Sequence, residues 1–143
     1  MRKKGFLILA ILWMGVIFMF SARSASLSTR DSYRASELLG EIFIEGYEEW
    51  EPPKKLAFKE QVDHLVRKSA HFLEYAILGL LWLGFFLPGI ESCRTFPPYG
   101  RSWLMAALHA ATDEFHQMFS SGRAGRLTDV GIDSLGAATG LLG

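Results

Sequence analysis

Residues 68–90 read KSAHFLEYAILGLLWLGFFLPGI, and this stretch decides the fold. From Ala76 to Ile90 it is apolar, long enough to line most of a bilayer crossing, and Pro88 and Gly89 close it. Its N-terminal end carries Lys68, His71 and Glu74, so the apolar run begins beside ionisable groups.

Three further stretches take the same reading. The N-terminus, MRKKGFLILAILWMGVIFMFSARSAS, is uncharged from Gly5 to Ala22, about 27 Å as a helix. A cleavable leader is the competing reading there, since Ala22, Ser24 and Ala25 are small. Residues 102–119, SWLMAALHAATDEFHQMF, start apolar and end polar, and a link with Cys93, Pro97, Pro98 and Gly100 precedes them. Residues 129–143, DVGIDSLGAATGLLG, would be roughly 22 Å long, short for a crossing. Their Gly136 and Gly140 form a G-x-x-x-G that lets another helix come close.

Between the first two stretches lies a polar region, 23–67, with one periodic passage, SELLGEIFIEGYEEW. Leu38, Leu39, Ile42, Phe43, Tyr47 and Trp50 recur at helical spacing, and Glu41, Glu45, Glu48 and Glu49 fill the other side. An amphipathic helix packed against the bundle is expected, with a membrane-surface position as the alternative, stopped by Pro52 and Pro53. The expected architecture is therefore all-α: a polytopic membrane bundle of about four transmembrane helices, near 5–22, 68–89, 102–119 and 129–143, plus that extramembrane helix, in one domain spanning 1–143.

Composition narrows the function classes. The chain has 143 residues, half of them hydrophobic, and 15 basic residues balance 15 acidic ones, so nothing favours nucleic acid and none is expected as a partner. Cys93 is the single cysteine, which excludes an internal disulfide and any multi-thiolate metal site. If Arg2, Lys3 and Lys4 stay in the cytoplasm, alternation puts 23–69 and 119–128 outside and 91–101 inside, so the polar ends of the helices share the outer face of the cell membrane. The basic residues oppose this orientation, because only Arg94 and Arg101 join that cluster inside while the remaining ten fall outside.

Ionisable groups at membrane depth are costly, about 2.5 to 3.5 kcal/mol each on insertion scales, so they are read first as functional. Lys68, His71 and Tyr75 share a helix face, with Glu74 beside them. His109, Asp113, His116 and Gln117 form a second stripe, flanked by Glu114, and Asp129 and Asp133 stand one turn apart. Arg123 and Arg126 lie in the loop between. The bland reading makes Arg67, Lys68, Arg123 and Arg126 interfacial anchors, Tyr75 and Trp103 ordinary core or belt aromatics, and His109 a helix-contact residue. Asp113 and Asp133 are harder to explain so, because a short acid cannot snorkel far.

At these residues the chain resembles the VanZ-like family of small bacterial membrane proteins. The resemblance is carried by IFMFS up to Ser21, by KSAHFLEYAILGLLW from Lys68, and by TDEFHQMFSSGRAGRLTDVGIDSLGAATG from Thr112. These follow K-x-x-H-x-x-x-Y, then D-E-x-x-Q, then R-x-x-x-x-x-D-x-x-x-D with a following glycine, over about two thirds of the chain; 23–66 carries no part of it. The resemblance implies an envelope protein linked to teicoplanin and related glycopeptide susceptibility, with a signature at Lys68, His71, Tyr75, Asp113, Glu114, Gln117, Arg123, Asp129 and Asp133.

Three functions compete. An outer-facing pocket for an anionic amphiphile, such as a lipid-linked cell-wall precursor or a lipoglycopeptide, would use Lys68, Arg123 and Arg126. An intramembrane hydrolase or transferase would use Asp113, Glu114 or His71, with a metal between His109, Asp113 and His116 as a variant, but no H-E-x-x-H or G-x-S-x-G supports it. A structural or regulatory role would use the polar cluster to hold helices and the amphipathic segment to meet a partner. No cofactor and no resident metal are expected, membrane lipid is the expected surrounding, and the sequence sets no oligomeric state.

Overall fold

A computed structural model describes residues 2–88, 97–119 and 126–142. Gly89, Cys93 and Arg123, all singled out above, lie outside the described residues. The described residues form five helices: α1 (Arg2–Ser21), α2 (Ala25–Phe43), α3 (Pro52–Phe86), α4 (Pro98–Gln117) and α5 (Leu127–Leu142), with a 3-10 turn at Tyr47–Glu49. Among the described residues there is no strand, so the all-α expectation holds. Two helices, Lys3–Ser21 and Pro52–Phe86, are long and apolar enough to cross a membrane.

The largest departure from the expected boundaries is α3, which starts at Pro52 and not near Lys68. Pro52 and Pro53 occupy its first turn, where a missing N–H breaks no helical bond and the fixed φ favours the helix. They begin a helix here; the preceding one has already ended at Phe43, and Gly46 turns the chain with a φ of 72° that a side chain would resist. At 35 residues α3 is about 52 Å long, well beyond a bilayer's hydrocarbon thickness. Its N-terminal part extends past the bundle, with α2 antiparallel beside it.

The face of α2 that packs is also not the expected one. Ser32, Ser36 and Gly40, spaced four apart, are the buried residues, whereas Leu38, Leu39, Ile42 and Phe43 point outward. Small residues let the two helices approach. Ser32 Oγ donates to the Asp63 carboxylate, and a Cβ on Gly40 would sit 2.5 Å from the Tyr47 ring. Tyr47, Trp50 and Phe58 then close the end of this hairpin, with ring centroids 5.2, 5.6 and 6.0 Å apart.

Below the hairpin α3 is the central helix of a bundle with α1, α4 and α5. Phe6 faces Gly84 and Trp13 Nε1 donates to the Glu74 carbonyl, so α1 runs antiparallel to α3. In α5 the G-x-x-x-G works as expected: a Cβ on Gly136 would strike the Phe72 carbonyl oxygen, and one on Gly140 that of Ala76. Gly79 of α3 returns the contact: a Cβ there would sit 2.9 Å from the Ala137 carbonyl oxygen. Ala10, Ile17, Tyr75, Leu78, Trp82, Ala106, Ala110 and Ala137 form the core. Since Ala10 and Ile17 belong to it, removing α1 as a leader would take two fully buried residues away.

Beside its apolar core this bundle buries polar side chains and exposes many large apolar ones. Ser21, Ser102, His109, Asp113, Glu114, Gln117 and Asp133 are buried, while Ile8, Leu12, Leu73, Leu80, Leu108, Phe115 and Leu135 are exposed.

Candidate functional site

The alternating helix directions bring five chain segments to one level: the end of α1, the start of α2, the middle of α3, the end of α4 and the start of α5. Acids and bases meet there because each segment changes from apolar to polar at that height. The α3 Lys68 ammonium pairs with the Asp129 carboxylate of α5, each side chain about one-fifth exposed. Glu114 at the end of α4 accepts the backbone N–H of Arg126, 2.5 Å away, and so ties the entry of α5 to α4. Arg67 pairs with Asp63 one turn earlier at 2.6 Å, and His71 Nδ1 lies 3.4 Å from Glu74 Oε2.

Between these groups is a cavity of about 300 Å³ lined by Ala25, Ser28, His64, Arg67, Lys68, His71, Glu114, Gln117, Arg126, Asp129 and Asp133. A second cavity of about 380 Å³ adjoins it and shares Ser28, Arg67 and His71. Its other walls combine Phe20, Ala35, Val66 and Ala70 with Ser32, Glu74 and the paired Arg23 and Asp31. The two chambers meet at Arg67 and His71, and the second carries the larger apolar wall. The guanidinium of Arg126 has no ion pair among the described residues, whereas Lys68 and Arg67 each have one.

Six of the nine signature residues line the polar cavity: Lys68, His71, Glu114, Gln117, Asp129 and Asp133. Two do not. Tyr75 is fully buried, its hydroxyl 3.2 Å from His109 Nδ1, joining α3 to α4 in the core. Asp113, 1% exposed, accepts from Ser21 Oγ at 2.5 Å and from Gln117 Nε2 at 3.0 Å, so it joins the end of α1 to α4. Gln117 Nε2 also reaches Ser21 Oγ at 3.1 Å, which closes a three-residue ring of hydrogen bonds. The ninth, Arg123, falls outside the described residues.

Sequence reading passed over Ala25, Ser28 and His64 as wall residues and took Arg67 only for an anchor. A signal for two of them existed: His64, Arg67, Lys68 and His71 follow helical spacing, but only if α3 is continued back past Lys68. Ser28 offered none, since its place depends on how α2 folds back.

His116 does not join His109 and Asp113. It packs against Phe18, with ring centroids 4.2 Å apart. Among the described residues, no three His, Cys, Asp or Glu side chains are grouped to hold one metal ion. The arrangement instead suits reversible binding of a polar group, with fixed cations and hydrogen-bond acceptors beside an apolar recess.

Comparison with curated proteins and with solved structures returned no match. A family model described as VanZ/LLP1 does match, over residues 6–143, and so takes in the 23–66 region where sequence reading found no resemblance. Two helices of spanning length fit a membrane protein of that kind. With essentially its whole length matched, the chain belongs to the VanZ/LLP1 family.

Proposed function

We propose that this is a multi-pass protein of the bacterial cell membrane whose joined cavities hold an anionic amphiphile, such as a lipid-linked cell-wall precursor or a lipoglycopeptide, and thereby alter glycopeptide susceptibility. The observation that carries this reading is the junction itself: a chamber where Arg126 has no ion pair among the described residues opens, at Arg67 and His71, onto a recess in which Phe20, Ala35, Val66 and Ala70 make an apolar wall beside Asp31 and Glu74. A phosphate or carboxylate head meets the cations while a chain lies in the recess.

Immersion of α4 and α5, beside the two long helices, is supported by the apolar side chains that the bundle turns outward. Leu108, Phe115 and Leu135 face outward while Asp113 and Asp133 face inward, an arrangement that water would oppose and lipid favours. The N-terminus lies in the cytoplasm in this reading, which puts the cavities at the outer leaflet.

The test is binding of a labelled polyprenyl phosphate to the full chain in phosphatidylcholine nanodiscs. Arg126→Gln and Arg67→Gln are each expected to weaken binding about tenfold, the loss of one charge-assisted contact, with the thermal transition unmoved for Arg126→Gln. Undiminished binding by both variants would refute the cavity assignment.

A structural reading is favoured for one part of the set. Asp113 lines neither cavity, and its carboxylate is engaged by Ser21 and Gln117, which supports a role in holding α1 to α4 over a role as acid or base.

A further inference from the structure

The hairpin of α2 and the first half of α3 ends in a surface with two unlike halves. Leu38, Ile42 and Phe43 are 57%, 62% and 77% exposed, the last two lying one turn on from Leu38 along α2. Beside them Glu41, Glu45, Glu48 and Glu49 are exposed and surround an open hollow of about 500 Å³. None of these four carboxylates has an ion pair among the described residues. The nearby cations are already engaged on the α3 side. Lys59 pairs with Glu37 at 2.9 Å, Lys54 sits 3.7 Å over the Trp50 ring, and Lys55 Nζ donates to the Glu48 carbonyl at 2.9 Å.

We propose that this end of the hairpin is a docking surface for a basic amphipathic helix of a partner protein, its apolar face laid on Leu38, Ile42 and Phe43 and its Lys or Arg side chains seated among the four glutamates. Charge complementarity selects that occupant. A second copy of the chain would bring one acidic face against another. Bilayer lipid is out of reach: α1 ends at the level of His71, and Ile42 lies about 25 Å further along α2. An anionic leaflet would in any case repel the glutamates. The surface is separate from the cavities, so either assignment can fail without the other.

The experiment uses the full chain in phosphatidylcholine nanodiscs and a fluorescent synthetic helix of about five turns, with Leu at i, i+3 and i+4 spacing and Lys elsewhere. A second probe carries Glu in place of every Lys, and binding to empty discs is subtracted. Saturable binding of the Lys probe alone is expected, weakened about tenfold by the combined Glu41→Gln, Glu45→Gln, Glu48→Gln and Glu49→Gln variant and by Ile42→Ser with Phe43→Ser. The glutamine variant alters only exposed positions, and its unchanged thermal transition certifies its fold. Equal binding of the Glu probe, undiminished binding by the glutamine variant, or disulfide-linked pairs formed by Leu38→Cys chains that also carry Cys93→Ser would each overturn the proposal, the last by giving the surface to self-association.

Discussion

Along α3 the protein changes its rule of assembly near His71. Towards the N-terminus, α3 meets α2 through Ser32, Ser36 and Gly40, and the outer surface carries carboxylates. Towards the C-terminus, α3 meets α5 through Gly79, Gly136 and Gly140, and the outer surface carries Leu73, Ile77 and Leu80. Both seams are built from small residues, but the outward faces differ: towards the N-terminus glutamates are interleaved with exposed Leu38, Ile42 and Phe43, and towards the C-terminus the exposed side chains are apolar. Small residues set how closely the helices approach, and the ionisable cluster lies between the two regions.

The strongest way to break this comparison is to widen the lower seam. Gly136→Leu and Gly140→Leu each drive a side chain into a backbone carbonyl of α3, which flexible neighbours cannot relieve, and are expected to cost at least about 3 kcal/mol and abolish monodisperse protein on gel filtration. Gly131→Leu, on the same helix with open space beside it, should leave the elution profile intact. Equal behaviour of all three would show that α5 does not depend on close approach.

Next in size is the ion pair at the boundary. Lys68→Met leaves Asp129 partly buried without its cation and should lower stability by about 3 kcal/mol in a denaturation titration, while adding Asp129→Leu should recover most of that loss. Additive losses in the double variant would mean that the pair is not coupled.

A smaller effect is expected within the bundle at Asp113. Asp113→Leu removes the acceptor shared by the Ser21 hydroxyl and the Gln117 amide, for about 1 to 3 kcal/mol, whereas Asp113→Asn keeps an acceptor and should cost less. The two thermal transitions, measured in one detergent, give the order directly. On the hairpin, Glu37→Gln breaks a half-exposed pair with Lys59 and should move stability by about 1 kcal/mol at most, an effect that weakens as salt is added.

Much of the lower half was readable from residues. The run from Gly5 to Ala22 and that from Ala76 onward announce helices by length and lack of charge, and Gly136 with Gly140 announces a close contact that the helices do make. The upper half misled. Leu38, Leu39, Ile42 and Phe43 form the more conspicuous stripe, but Ser32, Ser36 and Gly40 form the seam, because bulky residues would hold α2 away from α3. The 52–67 stretch, with Lys54, Lys55, Lys59, Asp63 and Arg67, has no apolar run to announce a helix, yet it continues into the span below without a break.

The amino-acid order alone determined that the chain is helical and that its ionisable groups gather at the ends of apolar segments, since both follow from residues within a few turns of one another. Only the tertiary structure decided which of those groups look into a cavity and which are consumed in holding helices together. Asp113 and Asp133 are alike in sequence; what separates them is a serine 92 positions away that turns one carboxylate inward against α1 and leaves the other on the cavity wall. That choice depends on how each helix is rotated about its axis, and rotation is set by partners that local sequence does not contain.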